Sequence, residues 1–417
     1  MIASSSTASA AALPPLSLYI HIPWCVRKCP YCDFNSHNAP DDLPQDAYVD
    51  ALLADLDQDL FDQDVSLVRH RPLQSIFFGG GTPSLFSPDN IARILDGVAA
   101  RLTSVPGVEV TLETNPGTVE HGSFAGYRRA GVNRISFGVQ SFDDGALARI
   151  GRIHDAAQAR RAVLQAQDDG IDNLNLDLMY ALPEQSLAQA LADVEAAIAL
   201  RTPHLSHYQL TLEPNTRFAA DPPPLPDDDA AWDMQEACQA RLAAAGFVHY
   251  EVSAYARAGA QCRHNLNYWN FGDYLGIGAG AHAKISTPAT GADEMRVRRR
   301  WKLRTPRGYL EFANDARRVG GDEPVARAQL PFEFMLNALR LPQGFSLADF
   351  ERSTGLPKSA IERPLDAALA RGWLALIDAE HVRATELGGR FLNDVIAAFL
   401  PDRRELAIAL HGGPPHA

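Results

Sequence analysis

Sulfur is scarce in this chain, with five Cys and five Met among 417 residues, and the thiols are unevenly placed. Cys25, Cys29 and Cys32 fall close together, whereas Cys238 and Cys262 stand alone. A disulfide scaffold would spread and pair its cysteines, so that class is excluded; clustered thiols point to a reducing cytoplasm and to a metal. Positive charge is also short, 38 Lys and Arg against 51 Asp and Glu for a net −13. That balance excludes nucleic-acid binding driven by a basic surface. No run approaches the roughly 20 consecutive apolar residues that cross a bilayer, and mean hydropathy is −0.17. Residues 1–15 carry no Lys or Arg, so they lack the n-region of a secretory signal and the arginines of a transit peptide. They read as a disordered tail, and residues 406–417 as a C-terminal tail. At 46% hydrophobic and 21% charged the rest is a globular chain, long enough for two domains.

Between Ser17 and Ala256 short β-rich segments alternate with longer helical patterns. Strands are expected at Ser17 to Ile22, Gln74 to Gly79, Val108 to Glu113, Asn133 to Val139, Asn173 to Met179 and His204 to Leu212, with a seventh candidate at Val248 to Tyr255. Gln45 to Phe61 repeats Tyr48, Leu52, Leu53, Leu56 and Leu60 at helical spacing, and Pro88 opens another helix. Strands separated by helices imply right-handed crossovers and a parallel sheet. Six or seven such units are fewer than the eight of a closed barrel, so an α/β fold with a partial, laterally open (β/α)6 barrel is expected over residues 16–295. Gly79 to Thr82, Glu113 with Asn115, Gln140 with Ser141, Asp177, and Gln209 with Glu213 would face one rim, where barrel enzymes keep their ligands.

The acidic, proline-rich stretch Asp221 to Asp229 reads as a rigid loop before a helix. The basic run from Arg296 to Arg307 is taken as the boundary to a smaller C-terminal domain, 296–405, mainly helical and winged-helix-like, with a β-ribbon from Gly372. Beyond Gly320 the chain has 10 Lys and Arg against 13 Asp and Glu, giving no basic footprint for DNA. The basic run is read as a solvated face, or as a surface for an acidic partner, haem propionates or membrane docking.

The strongest chemical signal is HIPWCVRKCPYCDFNSH, His21 to His37, whose CxxxCxxC follows the first strand. Three soft thiolates on one loop can hold three irons of a [4Fe–4S] cube and leave the fourth open to a small chelating ligand. The alternative is a closed zinc site using the same cysteines and His37. GGGTP after the second strand favours the iron–sulfur reading.

CxxxCxxC followed by GGGTP in a βα chain resembles the radical S-adenosylmethionine (SAM) superfamily. ETNPGT, GVNRISFGVQSF, NLDLMYALP and HNLNYW further resemble its branch around oxygen-independent coproporphyrinogen III oxidase, over about Pro15 to Leu400. The resemblance implies that the amino and carboxylate groups of SAM chelate the open iron, and that an electron from the reduced cluster cleaves the sulfonium to an adenosyl radical. It also implies that Tyr19 and Tyr31 lie by the cluster, that Gly80, Gly81 and Thr82 meet SAM through backbone groups, and that Glu113, Gln140, Arg152 and Asp177 contact it.

The oxidase pattern continues with a further cysteine where this chain has Phe34. The haem-chaperone branch of the family has Phe there and an HNxxYW signature, matched by His264, Asn265, Tyr268 and Trp269. That resemblance implies haem as cargo, with His264 as an iron ligand and aromatic surface from Tyr268 and Trp269; a polar histidine packed beside aromatics is the plainer reading. It further implies membrane haem acceptors such as respiratory cytochromes, an electron donor for the cluster, and a cytoplasmic protein that docks transiently at a membrane. The competing functions are the oxidative decarboxylation of coproporphyrinogen and a zinc-stabilised, nonradical scaffold. His21, His154, His204, His207 and His282 are expected to be core or rim hydrogen-bonders, with His282, in GIGAGAH, able to approach the SAM pocket.

Overall fold

Six strands, each feeding a helix that returns to the same sheet, set the architecture of the computed structural model, which describes residues 13–61, 66–117, 123–288 and 294–401. They are β1 (Leu16–Ile22), β2 (Leu73–Gly80), β3 (Ser104–Thr114), β4 (Arg134–Gln140), β5 (Leu174–Tyr180) and β6 (His204–Gln209), paired parallel in that order. The intervening helices are α1 (Gln45–Phe61), α2 (Pro88–Ala99), α3 (Phe124–Ala130), α4 (Ala156–Asp168) and α5 (Leu187–Ala199), and α6 (Asp228–Ala244) follows β6. The N-termini of α2 to α6 are closed by the side chains of Ser87, Ser123, Asp155, Ser186 and Asp227, which satisfy amides that the first helical turn leaves free. Asp155 with Gln158, and Ser186 with Gln189, form full capping boxes.

The near-continuous burial of these strands hides a two-residue alternation. Leu16, Leu18, Ile20 and Ile22 of β1, Ile76 and Phe78 of β2, Ile135, Phe137 and Val139 of β4, and Leu174, Leu176 and Leu178 of β5 belong to the main hydrophobic core. Most residues on the opposite face are polar: Ser17, Ser75, Glu109, Arg134, Ser136, Asn175 and His204 are buried. Asn175 Nδ2 donates to Ser136 Oγ at 2.8 Å, and its Oδ1 lies 2.6 Å from His204 Nδ1. Because alternate side chains leave opposite faces of a strand, the barrel wall is apolar outward and polar inward.

The sheet is open. The seventh candidate strand differs from expectation: it breaks into an antiparallel hairpin, β7 (Val248–Glu251) and β8 (Ala254–Ala256), that edges the sheet beside β6. The further parallel strand is instead β9 (Asp273–Ile277), on the other side of β1. Three antiparallel strands continue from it, β10 (His282–Thr287), β11 (Arg296–Lys302) and β12 (Val319–Pro324), making a twelve-stranded sheet.

The basic run therefore does not form a free face. Arg298 and Arg300 pair with Asp322, Arg300 also with Asp59, and Arg299 with Glu333. Lys302 is fully buried between Asp55 at 2.5 Å and Asp59 at 2.7 Å. Alternate residues of the strand leave its two faces, and Arg298, Arg299, Arg300 and Lys302 each meet an acidic partner, so these four are withdrawn from the docking and propionate readings, while Arg296, Arg304 and Arg307 stay exposed. The sheet also runs through the division expected at 295/296, and the second core gathers mainly from Leu330 onward. There α8 (Leu330–Ala338), α9 (Leu347–Thr354) and α10 (Glu362–Ala370) pack with a small sheet of β13 (Phe345–Ser346), β15 (His381–Ala384) and β14 (Leu374–Leu376) in that order, the helix-and-ribbon pattern of a winged helix. Residues 1–12 and 402–417, hence nearly all of both expected tails, lie outside the described residues. Pro14 and Pro15 are tied down: their carbonyls accept from Arg71 and from the Asp273 amide.

Candidate SAM and cluster site

The CxxxCxxC loop leaves β1 and returns through a two-residue parallel ladder, Trp24–Cys25 against His37–Asn38, that clamps its neck. The GGGT turn after β2 packs on that neck, with Gly81 N donating to Ile22 O and Thr82 N to Trp24 O, both at 2.7 Å. A Cβ on Gly81 would collide with the Trp24 backbone, and one on Gly80, where φ is 112°, with the His21 ring. These glycines are demanded by the chain's own close approach as well as by any ligand's.

Cys25, Cys29 and Cys32 are unpaired and partly exposed. They open on a cavity of about 640 Å³ whose walls include Tyr31, Gly80, Gly81, Thr82, Glu113, Gln140, Arg152 and Asp177. All eleven of these expected residues meet in one chamber at the C-terminal mouth of the barrel. Of the remaining rim residues, Asn115, Gln209 and Glu213 also line it. Ser141 does not; it is buried and donates to Asp193 at 2.8 Å.

The electrostatics of the chamber follow from its depth. Arg152 Nη1 donates to Cys29 Sγ at 3.4 Å and so places a fixed cation beside that sulfur. Burial pushes the Cys25 and Cys32 thiols up, so metal binding there must displace protons. Burial, with Asp177 nearby, pushes the Glu113 carboxyl up to about 8, although Gly80 N donates to it at 3.2 Å. Asp177 is likewise raised by burial while accepting from Asn175 at 2.8 Å. Gln140 ends β4 in the left-handed region, φ 71°, and its Oε1 accepts from Tyr208 at 2.9 Å. A non-glycine residue held there carries roughly 1–3 kcal/mol of strain, maintained where the strand must turn its last side chain into the chamber.

The donor set suits an iron–sulfur cube. Among the described residues no three His, Cys, Asp or Glu side chains converge closely enough to hold one ion, whereas in a cube each thiolate serves a different iron. His37, the fourth ligand of the alternative zinc site, has its Nε2 at 3.3 Å from Arg304 O.

Tyr19, expected beside the cluster, is not among the residues lining the cavity of the three thiols. It lines a second cavity of about 580 Å³, shared with Tyr268, Tyr274, His282, Trp301 and Arg304, and separated from the first by Phe34, Gly80 and Glu113, which belong to both walls. His282 lines this second cavity as well.

The HNxxYW segment forms α7 (Arg263–Trp269) inside the barrel. Its amides at Arg263 and His264 donate to Glu109 Oε1 at 2.9 and 3.2 Å, a cap supplied across space by β3. His264 is buried; its Nδ1 lies 2.9 Å from Ser75 Oγ, its Nε2 2.9 Å from Tyr268 OH, and its ring stacks on Phe77. Burial and Arg134 lower its pKa to about 3. The expectation of an iron ligand at His264 does not fit, because both ring nitrogens are engaged. Trp269 lies under the Arg340 guanidinium, 4.2 Å from its ring centroid, and Asn265 is only half-buried. His21, His154 and His204 each use both ring nitrogens in hydrogen bonds, as expected of structural histidines. His207 is buried with its Nδ1 unpartnered among the described residues.

Sequence reasoning missed Tyr208 and Arg340 in the first chamber. Tyr208 could have been found from strand alternation, two residues beyond Ser206. Arg340 comes from the C-terminal part, and nothing local announces it.

Comparison with known proteins agrees with this geometry. The radical SAM superfamily model matches residues 19–197, and the HemN C-terminal domain model matches residues 325–391. The chain is 50% identical over 390 residues to the heme chaperone HemW of Escherichia coli, covering 94% of this chain and 99% of that one. The HemW of Mycobacterium tuberculosis is 35% identical, covering 93% and 95%. A solved structure, the radical SAM enzyme coproporphyrinogen III oxidase (HemN) from Escherichia coli, superimposes with a TM-score of 0.76 over 93% of this chain and 90% of its own, at 20% identity, which speaks to the fold. Three thiols and a glycine turn at the mouth of an open barrel, in a chain so similar along its length to these relatives, lead to one assignment: it belongs to the radical SAM superfamily, in the HemW family.

Proposed function

We propose that this protein is a haem chaperone that carries a SAM-binding [4Fe–4S] cluster on Cys25, Cys29 and Cys32, binds haem and passes it to membrane acceptors such as respiratory cytochromes. The observation that carries the reading is the shared chamber: three free thiols on one clamped loop face Gly80, Gly81, Thr82, Glu113, Gln140, Arg152 and Asp177 across one cavity. Its support for haem as cargo comes from the relatives named heme chaperones. The cluster, when bound, supplies one-electron reduction of SAM.

The chain's own groups do the rest. The glycine turn holds the mouth open for the amino-acid end of SAM, and Glu113 and Asp177 bring carboxyls toward its polar groups. Arg152 offsets the negative charge of the thiolate cluster at Cys29, and Tyr31 covers one side. An electron donor is needed to reduce the cluster. No helix among the described residues is long and apolar enough to cross a membrane, which suits a cytoplasmic carrier that visits the membrane transiently. The net charge of −13 gives no support to a nucleic-acid partner.

The test is anaerobic reconstitution followed by iron, sulfide and haem quantification, with SAM cleavage assayed on the same sample. Four irons and four sulfides per chain, lost in the Cys25→Ala, Cys29→Ala and Cys32→Ala variants, and haem retained by the wild type are expected. A colourless preparation without acid-labile sulfide overturns the cluster; absence of haem uptake overturns the chaperone. Protoporphyrinogen formed from coproporphyrinogen would restore the oxidase reading, from which this chain departs at Phe34.

A further inference from the structure

The CxxxCxxC loop borders a further cavity of about 640 Å³, whose other walls come from the chain after β4 and after β6. Arg27, Cys29 and Cys32 line both this cavity and the chamber of the glycine turn, so the loop is the partition between the two. The glycine turn, Glu113 and Asp177 take no part in it. The partition is held from both flanks. A Cβ on Gly151 would meet the Pro30 ring at 2.8 Å, and Phe218 N donates to Pro30 O at 3.0 Å while its ring lies 6.4 Å from that of Tyr31. The cavity is therefore preformed by packing and not by a ligand.

Its charge runs against that of the molecule. Arg27, Lys28, Arg149 and Arg217 line it, and among the described residues its one acid is Asp221, in a chain of net −13. Arg27, Lys28 and Arg217 are exposed and have no ion pair among the described residues. Lys28 Nζ braces the loop by donating to Phe34 O at 3.0 Å and to Ser36 O at 3.3 Å, while Arg149 is half-buried with Glu184 at 3.9 Å. Cations gathered on an otherwise acidic protein make a local field that steers an acidic partner to one place. Val26, next to Arg27 in the chain, is 49% exposed and offers that partner an apolar contact.

We infer that this basic cavity is where the electron donor docks, and that the donor is a small acidic protein carrying a one-electron centre. The inference rests on the cluster proposed at Cys25, Cys29 and Cys32, and it adds the side from which that cluster is reduced. The chamber on the inner side is the one assigned to SAM, and electron transfer falls off steeply with distance. A carrier seated outside is separated from the irons only by the loop that holds them. With a flavin carrier the anionic hydroquinone is oxidised to the neutral semiquinone and the cluster is reduced by that one electron; no bond forms and no proton moves. Redox encounters use small interfaces, so a few charges suffice to set their rate.

The experiment uses a flavodoxin, an acidic flavin protein, as the probe and the full-length, cluster-reconstituted chain as its target. Association is followed by fluorescence anisotropy over a range of ionic strengths, and semiquinone formation by stopped-flow absorbance. Arg27→Glu and Arg217→Glu should each slow association on the order of tenfold at low salt, and added salt should bring wild type and variants together. Arg363→Glu, the same charge change on an exposed face of α10, should bind as the wild type does. Iron and sulfide content, and SAM cleavage driven by dithionite, should be equal in all four proteins, because a small chemical reductant needs no docking surface. If flavodoxin does not bind the wild type, or binds both cavity variants equally well, the docking site is wrong while dithionite-driven cleavage keeps the cluster reading. A wild type that holds no iron and sulfide and cleaves no SAM with dithionite overturns that reading and this inference with it.

Discussion

Glu113 faces both cavities, and its carboxyl is held at about 8, against an ordinary 4.5, by burial and by Asp177. Between those values the folded apo-protein keeps a proton that the unfolded chain has released, so stability falls as pH rises through the window. Glu113→Gln should flatten that part of the profile and leave the variant the more stable form above about pH 8, the top of that window. Urea melts of apo-protein across the window, showing parallel slopes for wild type and variant, would contradict this. Gly81 makes a second prediction. Its missing Cβ is what lets the turn seat on Trp24, so Gly81→Ala should leave the helical circular dichroism intact while cutting iron incorporation on reconstitution severalfold. Normal iron content would show that the neck tolerates a methyl group.

Among the elements, α1 and β11 are the pair most tightly bound by charge. Asp55 receives Lys302 at 2.5 Å, Arg318 at 2.7 Å and the Tyr309 hydroxyl at 2.7 Å. Burial alone would raise the Asp55 pKa, but Lys302 and Arg318 bring it below the ordinary value. The stability this contributes is present above the ordinary carboxylate range and is lost as acid protonates the folded form. Removing one partner strands a buried charge, which typically costs about 3–5 kcal/mol. Lys302→Met is therefore expected to lower unfolding free energy by roughly that amount, measured by denaturant titration; a loss below about 1 kcal/mol, the level of an exposed pair, would refute the clamp. Element types were readable in sequence where one pattern dominated: α1 and the six parallel strands lie close to their expected bounds. The split of Val248 to Tyr255 and the course of Arg296 to Lys302 were not readable, because a short β-rich segment does not specify its partner strand and a charged run does not show which neighbours neutralise it.

For the whole molecule, the extended sheet and second core decide where the chain can be cut. Val297 and Phe271 pack with Phe334, Phe345 and Phe350 in the C-terminal core, and Arg340 reaches the chamber lined by the three thiols and pairs with Glu251 at 3.1 Å. A chain ending at residue 295 loses β11, β12 and Lys302 and should fail to fold cooperatively. A chain ending at 324 keeps the twelve strands, exposes Phe271 and Val297, and should fold with a lowered melting temperature and weakened SAM binding. Calorimetric scans of the two truncations check this; cooperative melting of the shorter one would show that 295/296 is a true domain boundary.

The family, the (β/α)6 order, the three neighbouring thiols and the chamber residues that follow each strand were all present in the sequence. Each is a local pattern, a spacing or an alternation that neighbouring residues carry by themselves. The tertiary structure alone decided the surroundings of His264 and His282, the fate of the basic run and the existence of a second chamber. His264 and His282 both belong to motifs, and no sequence property separates them. The first is enclosed by β2 and α7 with both nitrogens bonded, while the second stands open beside Trp301. Which imidazole keeps a free lone pair depends on what the rest of the chain packs against it.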